Sequence, residues 1–224
     1  MGHFQENIQL KDPVKGILCE KAMGRYFCNE NELNSSWDHI LCAFWQRYPN
    51  PFSAHVLTED VLFRELTPDN CLLSRRLFTK TNLLPRWAER VFPSHLNKSV
   101  FIVEDSVVDP ETHTLTTHTH NINHTRFMTV VERCVFQRDK ERPSWTLISR
   151  EAWISSGVFG LSRAIQKFGL SRFKSNQLKS MKGLVYALSK LHTESFPPRV
   201  HGDPPVQESP PPNTASTQKP QQYS

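Results

Sequence analysis

Arg47 and His55 stand on either side of a Pro49-Asn50-Pro51 corner, and their placement is the first feature of the chain that calls for a chemical explanation. Trp37, Ile40, Phe44 and Arg47 recur at intervals of three and four, which puts them on one face of an amphipathic helix. A guanidinium on an apolar stripe cannot be buried alone, because an uncompensated charge in a low-dielectric setting is too costly. Arg47 therefore needs a carboxylate within the chain, an anionic ligand or a route to water. The spacing leaves the internal ion pair and the anion site both open.

Other chemistries find less support. His118 and His120 share one face of a strand, with His113 and His124 nearby, but zinc needs three or four converging ligands. The five cysteines (Cys19, Cys28, Cys42, Cys71, Cys134) are scattered, with no Cys-x-x-Cys pair. They read as small apolar residues rather than as a disulfide framework or a structural metal site. The histidines read as exposed or pocket-lining. There is no Gly-x-Ser-x-Gly elbow, no His-Glu-x-x-His and no glycine-rich phosphate loop in a chain with eight glycines. No catalytic constellation, metal site or cofactor is expected.

The elements that must position Arg47 and His55 follow from pattern. At 224 residues the chain allows one good-sized domain with extensions. A net charge of +5 fits contact with an anionic ligand or membrane surface and is too dispersed to argue for nucleic acid. No apolar run approaches a membrane span. The N-terminus resembles neither a signal peptide nor a transit peptide, since Glu6, Asp12 and Glu20 interrupt it. Residues 1–22 read as a flexible extension, 23–194 as the folded domain, and 195–224, rich in Pro, Ser and Gln, as a disordered tail.

Within the domain, a strand is expected from Arg25 to about Cys28, then a helix capped by Ser35 that stops before Pro49. Two strands follow, from His55 to about Arg64 with Leu57, Val61 and Phe63 as its apolar set, and from Leu72 to Thr81. On the second, Leu72, Arg76, Phe78 and Lys80 point one way, and pattern does not say which face looks inward. Leu83–Pro93 reads as a short proline-bounded helix carrying Trp87, Arg86 and Arg90. Its composition suits either a lipid headgroup layer or packing of Trp87 over a sheet edge. Four further strands (Ser99–Val108, Thr114–Ile122, Phe127–Gln137, Trp145–Ser155) joined by short turns imply an antiparallel meander. A helix from about Leu161 to Leu191 closes the domain, with Gly169 and Gly183 leaving room for a bend or break. The fold class expected is α+β. A bent sheet closed by a helix makes a cavity of the kind that holds apolar ligands.

The stretch Phe44-Trp-Gln-Arg-Tyr-Pro-Asn-Pro-Phe-Ser-Ala-His-Val-Leu-Thr-Glu-Asp60 resembles the PRELI/MSF1 domain family of mitochondrial phospholipid carriers. Leu73-Ser-Arg-Arg-Leu77, Leu84-Pro-Arg-Trp-Ala-Glu-Arg90, Glu104-Asp-Ser-Val-Val-Asp-Pro110, Asn121-Ile-Asn-His124 and Arg172-Phe-Lys-Ser-Asn176 extend the resemblance over about Met23 to Leu191. It implies a concave seven-stranded antiparallel sheet with short helices and a long C-terminal helix around a lipid cavity, START-like in outline. It also implies transfer of phosphatidic acid from the outer to the inner mitochondrial membrane, through the intermembrane space, feeding cardiolipin synthesis. A small helical-hairpin protein with twin Cys-x9-Cys motifs is the implied heterodimer partner, and an anionic membrane surface the implied transient contact.

Residue by residue, Arg47, His55 and Lys80 match the family's basic positions that meet the lipid phosphate. Arg172 matches a lysine on the C-terminal helix. A further lysine of some relatives is Leu83 here, which makes Arg76 a candidate to supply that contact. Leu84, Pro85, Arg86, Trp87 and Arg90 match the lid that touches membranes. Two other readings accompany this one: a phosphatidylserine carrier of the same family, and a non-transfer scaffold or regulator of mitochondrial dynamics and apoptosis.

Overall fold

Period-two alternation builds a single antiparallel sheet in the computed structural model, which describes residues 24–81 and 99–195, with side chains to residue 191. Its strands are β1 (Arg25–Leu33), β2 (Val56–Leu66), β3 (Leu72–Thr81), β4 (Ser99–Asp109), β5 (Thr114–Asn121), β6 (Thr129–Arg138) and β7 (Thr146–Ser155). They lie in the order β1-β7-β6-β5-β4-β3-β2, every neighbour antiparallel. Strands β2 to β7 form the meander that short turns dictate, and β1 returns to pair with β7. Among the described residues two helices cover one face: α1 (Trp37–Trp45) and α2 (Ser162–Ser195). Among the described residues the architecture is the seven-stranded sheet with a long C-terminal helix that the sequence led us to expect.

The core sits where α1 and α2 meet the sheet. Trp37, Ile40, Ala43 and Phe44 form the buried stripe of α1, and they pack on Leu115, Phe136 and Ile148 of the sheet and on Leu184 and Leu188 of α2. Trp37 donates its indole N–H to Phe136 O at 3.2 Å, so its one polar atom is satisfied in the core. Arg47 lies one turn beyond Phe44 on the same stripe and is buried with it.

Three local expectations are corrected. Strand β1 runs to Leu33, well past Cys28, because β7 offers it an unbroken ladder from Arg25↔Ile154 to Leu33↔Thr146. The N-cap of α1 is Ser36, whose carbonyl accepts from Ile40 N at 3.0 Å, while the Ser35 carbonyl is used by Thr146 Oγ1 at 2.8 Å. In β2, the apolar set Leu57, Val61 and Phe63 does not keep to one alternating face, and all three are exposed. Register shifts between Val56 and Thr58 and between Val61 and Phe63 break the alternation on this edge strand. The proposed lid, Leu84 to Pro93 with Trp87, and residues 1–22 lie outside the described residues.

Helix α2 is continuous through both of its glycines. The reason for glycine is close approach, not bending. A Cβ at Gly183 would stand 2.7 Å from Asn50 Nδ2 and 3.0 Å from Asn50 Cγ. Asn50 cannot yield cheaply, since its amide donates to Arg47 O and its Oδ1 accepts from Phe52 N at 2.9 Å. In an open helix Gly→Ala gains about 1 kcal/mol. Here we expect Gly183→Ala to destabilise by about 1–3 kcal/mol, the cost of overpacking, read as a lowered midpoint of urea unfolding at unchanged slope.

Candidate functional site

The inner face of the sheet carries charge on apolar stripes. On β3 the inward set is Leu72, Ser74, Arg76, Phe78 and Lys80, so the face bearing Arg76 is the one turned to the core. Glu104 lies inward on β4, cross-strand from Arg76 and Thr119. Arg76, 1% exposed, donates Nε to Glu104 Oε1 at 3.0 Å and holds Glu59 with Nη1. Arg47 donates Nη2 to Glu104 Oε2 at 2.8 Å and Nη1 to Phe44 O at 3.0 Å. Its guanidinium carbon stands 3.9 Å from the centre of the Phe44 ring. The internal ion pair is therefore formed, and it joins α1, β4, β3 and β2 in one network.

The protonation states follow from this geometry. Burial works against charge on Arg47, but Glu104 and Tyr48 outweigh it and hold its pKa above the ordinary value. Burial pushes the Glu104 carboxyl up, and Arg47 and Arg76 more than reverse that, leaving it below the usual carboxylate range. For Arg76, burial and the neighbouring Arg47 win over Glu104, so its pKa is lowered.

Beyond this network a cavity opens between the sheet and α2. Its volume is about 250 Å³. The wall is largely apolar, with Phe44, Phe78, Phe168, Phe173 and Leu184 among its residues. Set into it are Arg47, Lys80, Arg150 and Arg172 against Glu104 and Glu132, an excess of two positive charges among the lining residues. Arg150 pairs with Glu132 at 3.0 Å, which leaves the excess on the side of Lys80 and Arg172. Arg172 donates Nη2 to Thr81 O at 3.1 Å, which ties α2 to the end of β3, and burial lowers its pKa.

His55 lies among these cations. Burial, then Lys80, Lys179 and Arg172, push its imidazole down to about 4, so it is neutral at pH 7. An anion placed here would reverse the three Coulombic contributions. The arrangement can bind a small, highly charged anionic group at one part of an otherwise apolar chamber. Among the described residues no three His, Cys, Asp or Glu side chains cluster as metal ligands would.

Of the sequence-predicted residues, the structure brings Arg47, His55, Lys80 and Arg172 to one cavity. Arg76 is not among its lining residues and is held by Glu104 and Glu59 behind the wall. His120 and His124 line the cavity, whereas His118 sits in register between Asp105 and Arg133. Leu84, Pro85, Arg86, Trp87 and Arg90 lie outside the described residues. Pattern reading missed Arg150, Glu132 and the charge-neutralising part of Glu104. The signal was present: Thr146, Ile148, Arg150, Ala152 and Ile154 form a buried period-two stripe interrupted by one cation. Val130, Glu132, Cys134 and Phe136 repeat the anomaly with an anion. Lys179 of α2 is near enough to act on His55.

A family model described as PRELI-like matches residues 38–194. The chain belongs to the PRELI-like family. It is 60% identical over 173 residues to mouse PRELI domain-containing protein 1, mitochondrial, covering 77% of this chain and 80% of the mouse protein. It is 33% identical over 155 residues to Saccharomyces cerevisiae Protein UPS1, mitochondrial, covering 69% and 87% of the two chains. The PRELI-like family is a family of non-enzymatic lipid carriers, and these relatives are named as mitochondrial. Among solved structures, TTHA0849 from Thermus thermophilus superposes with a TM-score of 0.51 at 13% identity, covering 75% of this chain and 99% of that one. That likeness concerns the fold alone.

Two outcomes follow from the charge network. Glu104→Gln leaves Arg47 buried without its carboxylate and Arg76 with Glu59 alone, and we expect a loss of about 3–5 kcal/mol in denaturant unfolding. Acidification should destabilise the protein in two stages. His55 has a folded pKa near 4, below its unfolded value of about 6.5, so the unfolded state takes up its proton first and stability falls as the pH drops from 6.5 toward 4. Glu104, also depressed, contributes stability present above the unfolded carboxylate pKa and lost as the pH falls through its folded value. Unfolding midpoints measured across this range should fall less steeply above pH 5 for His55→Gln than for the parent.

Proposed function

We propose that this protein carries phosphatidic acid between the outer and inner mitochondrial membranes, across the intermembrane space, in support of cardiolipin synthesis. The observation that carries the reading is the excess of positive charge around Lys80, Arg172 and His55 in an apolar cavity. Taking a phospholipid out of a bilayer exposes its chains, at about 0.8 kcal/mol for each methylene. A carrier must cover that surface, and the largely apolar wall of the cavity between the sheet and α2 is where this chain can do so. Drug-sized ligands occupy roughly 300–1,000 Å³, so a diacyl lipid must use the space toward the mouth as well.

The headgroup chemistry favours a phosphate monoester. It carries between one and two negative charges and small bulk, and lysine and arginine meet it with charge-assisted hydrogen bonds. Arg47 is already neutralised by Glu104, so its part is to hold the floor and offer a polarised edge, while Lys80 and Arg172 supply net charge. A choline or ethanolamine group on the phosphate would bring a second cation into this region, which disfavours such lipids. No covalent step is required. A small helical-hairpin protein with twin Cys-x9-Cys motifs is the heterodimer partner in this reading, and the segment 84–93 the part that touches the membrane.

The test is transfer of fluorescent phosphatidic acid and phosphatidylserine between donor and acceptor liposomes. Lys80→Ala with Arg172→Ala should lower phosphatidic acid transfer about ten- to a hundredfold, from charge-assisted bonds worth about 1.5–3 kcal/mol, with an unfolding midpoint near the parent's. Arg47→Glu is the poorer probe, because it sets a second carboxylate against Glu104 and disturbs the fold. Preference for phosphatidylserine would overturn the headgroup assignment, and transfer of neither lipid would overturn the carrier reading.

A further inference from the structure

Phe159 and Ile122 are exposed on neighbouring loops at the end of the sheet where β3 hands over to β4. The β5–β6 loop, 122–128, reaches that end, with Ile122 N bonded to Phe101 O at 3.0 Å and Asn123 Nδ2 to Ser99 O at 3.1 Å. The β7–α2 loop, 156–161, lies beside it: a Cβ on Gly157 would stand 3.6 Å from Arg126 O. Val158 and Leu161 pack with Phe127 and Met128 onto Ile165 of α2, which fixes both loops to the helix. Phe159, between those two anchored residues, is 101% exposed, and Ile122 is 51% exposed.

On these two loops and on α2 through Thr193 the charged side chains have one sign. Arg126, Arg163 and Lys167 are exposed on the same loops and the first turns of α2. Neither loop contains an acidic residue, and none occurs from Ala152 through Thr193. His124, Phe127 and Met128 of the first loop, and Ile165 of α2, also line the cavity. The apolar tips therefore stand on the elements that frame the chamber.

We infer that this end of the domain is a bilayer-docking surface, with Phe159 and Ile122 entering the boundary between headgroups and acyl chains while Arg126, Arg163 and Lys167 meet anionic headgroups. Two separate apolar tips on loops that carry basic and no acidic side chains suit a fluid anionic surface, which needs no shape-matched groove. A protein partner would instead call for a contiguous patch with a polar rim. The surface rests on the lipid-carrier reading for its purpose, since it would bring the cavity to the membrane. It is made of residues distinct from the segment 84–93.

Flotation of the full chain with vesicles of phosphatidylcholine and phosphatidylserine, and with pure phosphatidylcholine vesicles, tests it. Phe159→Ser with Ile122→Ser should lower partitioning onto the anionic vesicles at least about tenfold, as expected for losing two large apolar side chains from the membrane. Phe159→Trp should restore it and shift tryptophan emission to shorter wavelength on vesicle binding, relative to the parent. Arg126→Glu with Arg163→Glu should abolish the difference between the two vesicle types. Leu178→Ser, which removes an exposed leucine elsewhere on α2, should leave partitioning unchanged. A Phe159/Ile122 variant that floats like the parent, or a parent that does not float, overturns the docking surface. A parent that floats yet transfers no lipid overturns the carrier reading alone, so the two failures are distinguishable.

Discussion

The buried network of Arg47, Glu104, Arg76 and Glu59 is the constraint on which the rest of this domain depends. One carboxylate, Glu104, holds two guanidiniums that arrive from different elements, one past the end of α1 and one from β3. Each charge is affordable inside the protein only because the others are there. The network fixes where the chain leaving α1 meets the sheet, and hence where the Pro-Asn-Pro corner and His55 lie. Asn50 carries the constraint further, since its amide caps Arg47 O and its side chain fills the space that Gly183 leaves open on α2.

Ion networks of this kind are a poor way to make a fold stable, because well-packed apolar residues of similar volume serve as well or better. Their presence in the wall of an apolar chamber is better explained by what they do to the chamber. Glu104 and Glu132 neutralise Arg47 and Arg150, so those cations can line the wall without driving it apart. Lys80, Arg172 and the neutral His55 then supply an electrostatic asymmetry along the cavity. Such a chamber suits a ligand with the same asymmetry, an anionic head on apolar chains, and membership of a lipid-carrier family accords with it.

The mouth and the floor solve opposite problems. At the floor, charge must be kept while water is excluded, and pairing achieves this. At the β3–β4 end, Phe159 and Ile122 are left in water beside the exposed Arg126, Arg163 and Lys167, an arrangement that gains free energy when an anionic, apolar surface arrives. The β5–β6 loop serves both regions, with His124, Phe127 and Met128 lining the cavity and Ile122 exposed.

The sequence by itself determined the elements and raised the central question. Strand positions from Leu72 to Ser155 and the short helix under Trp37 were legible because alternation and three-four spacing are local properties. The anomaly of Arg47 was legible for the same reason, and the family resemblance grouped it with His55, Lys80 and Arg172. What only the tertiary structure decided was pairing. Spacing cannot say whether a cation on an apolar stripe meets Glu104 or a ligand, because the carboxylate lies on a strand far along the chain. For the same reason Arg76 looked like a ligand contact until Glu59 and Glu104 were found on either side of it. The unbroken course of α2 was illegible too, since a glycine that bends a helix and one that admits a neighbour are identical in sequence, and only the neighbour, Asn50, tells them apart.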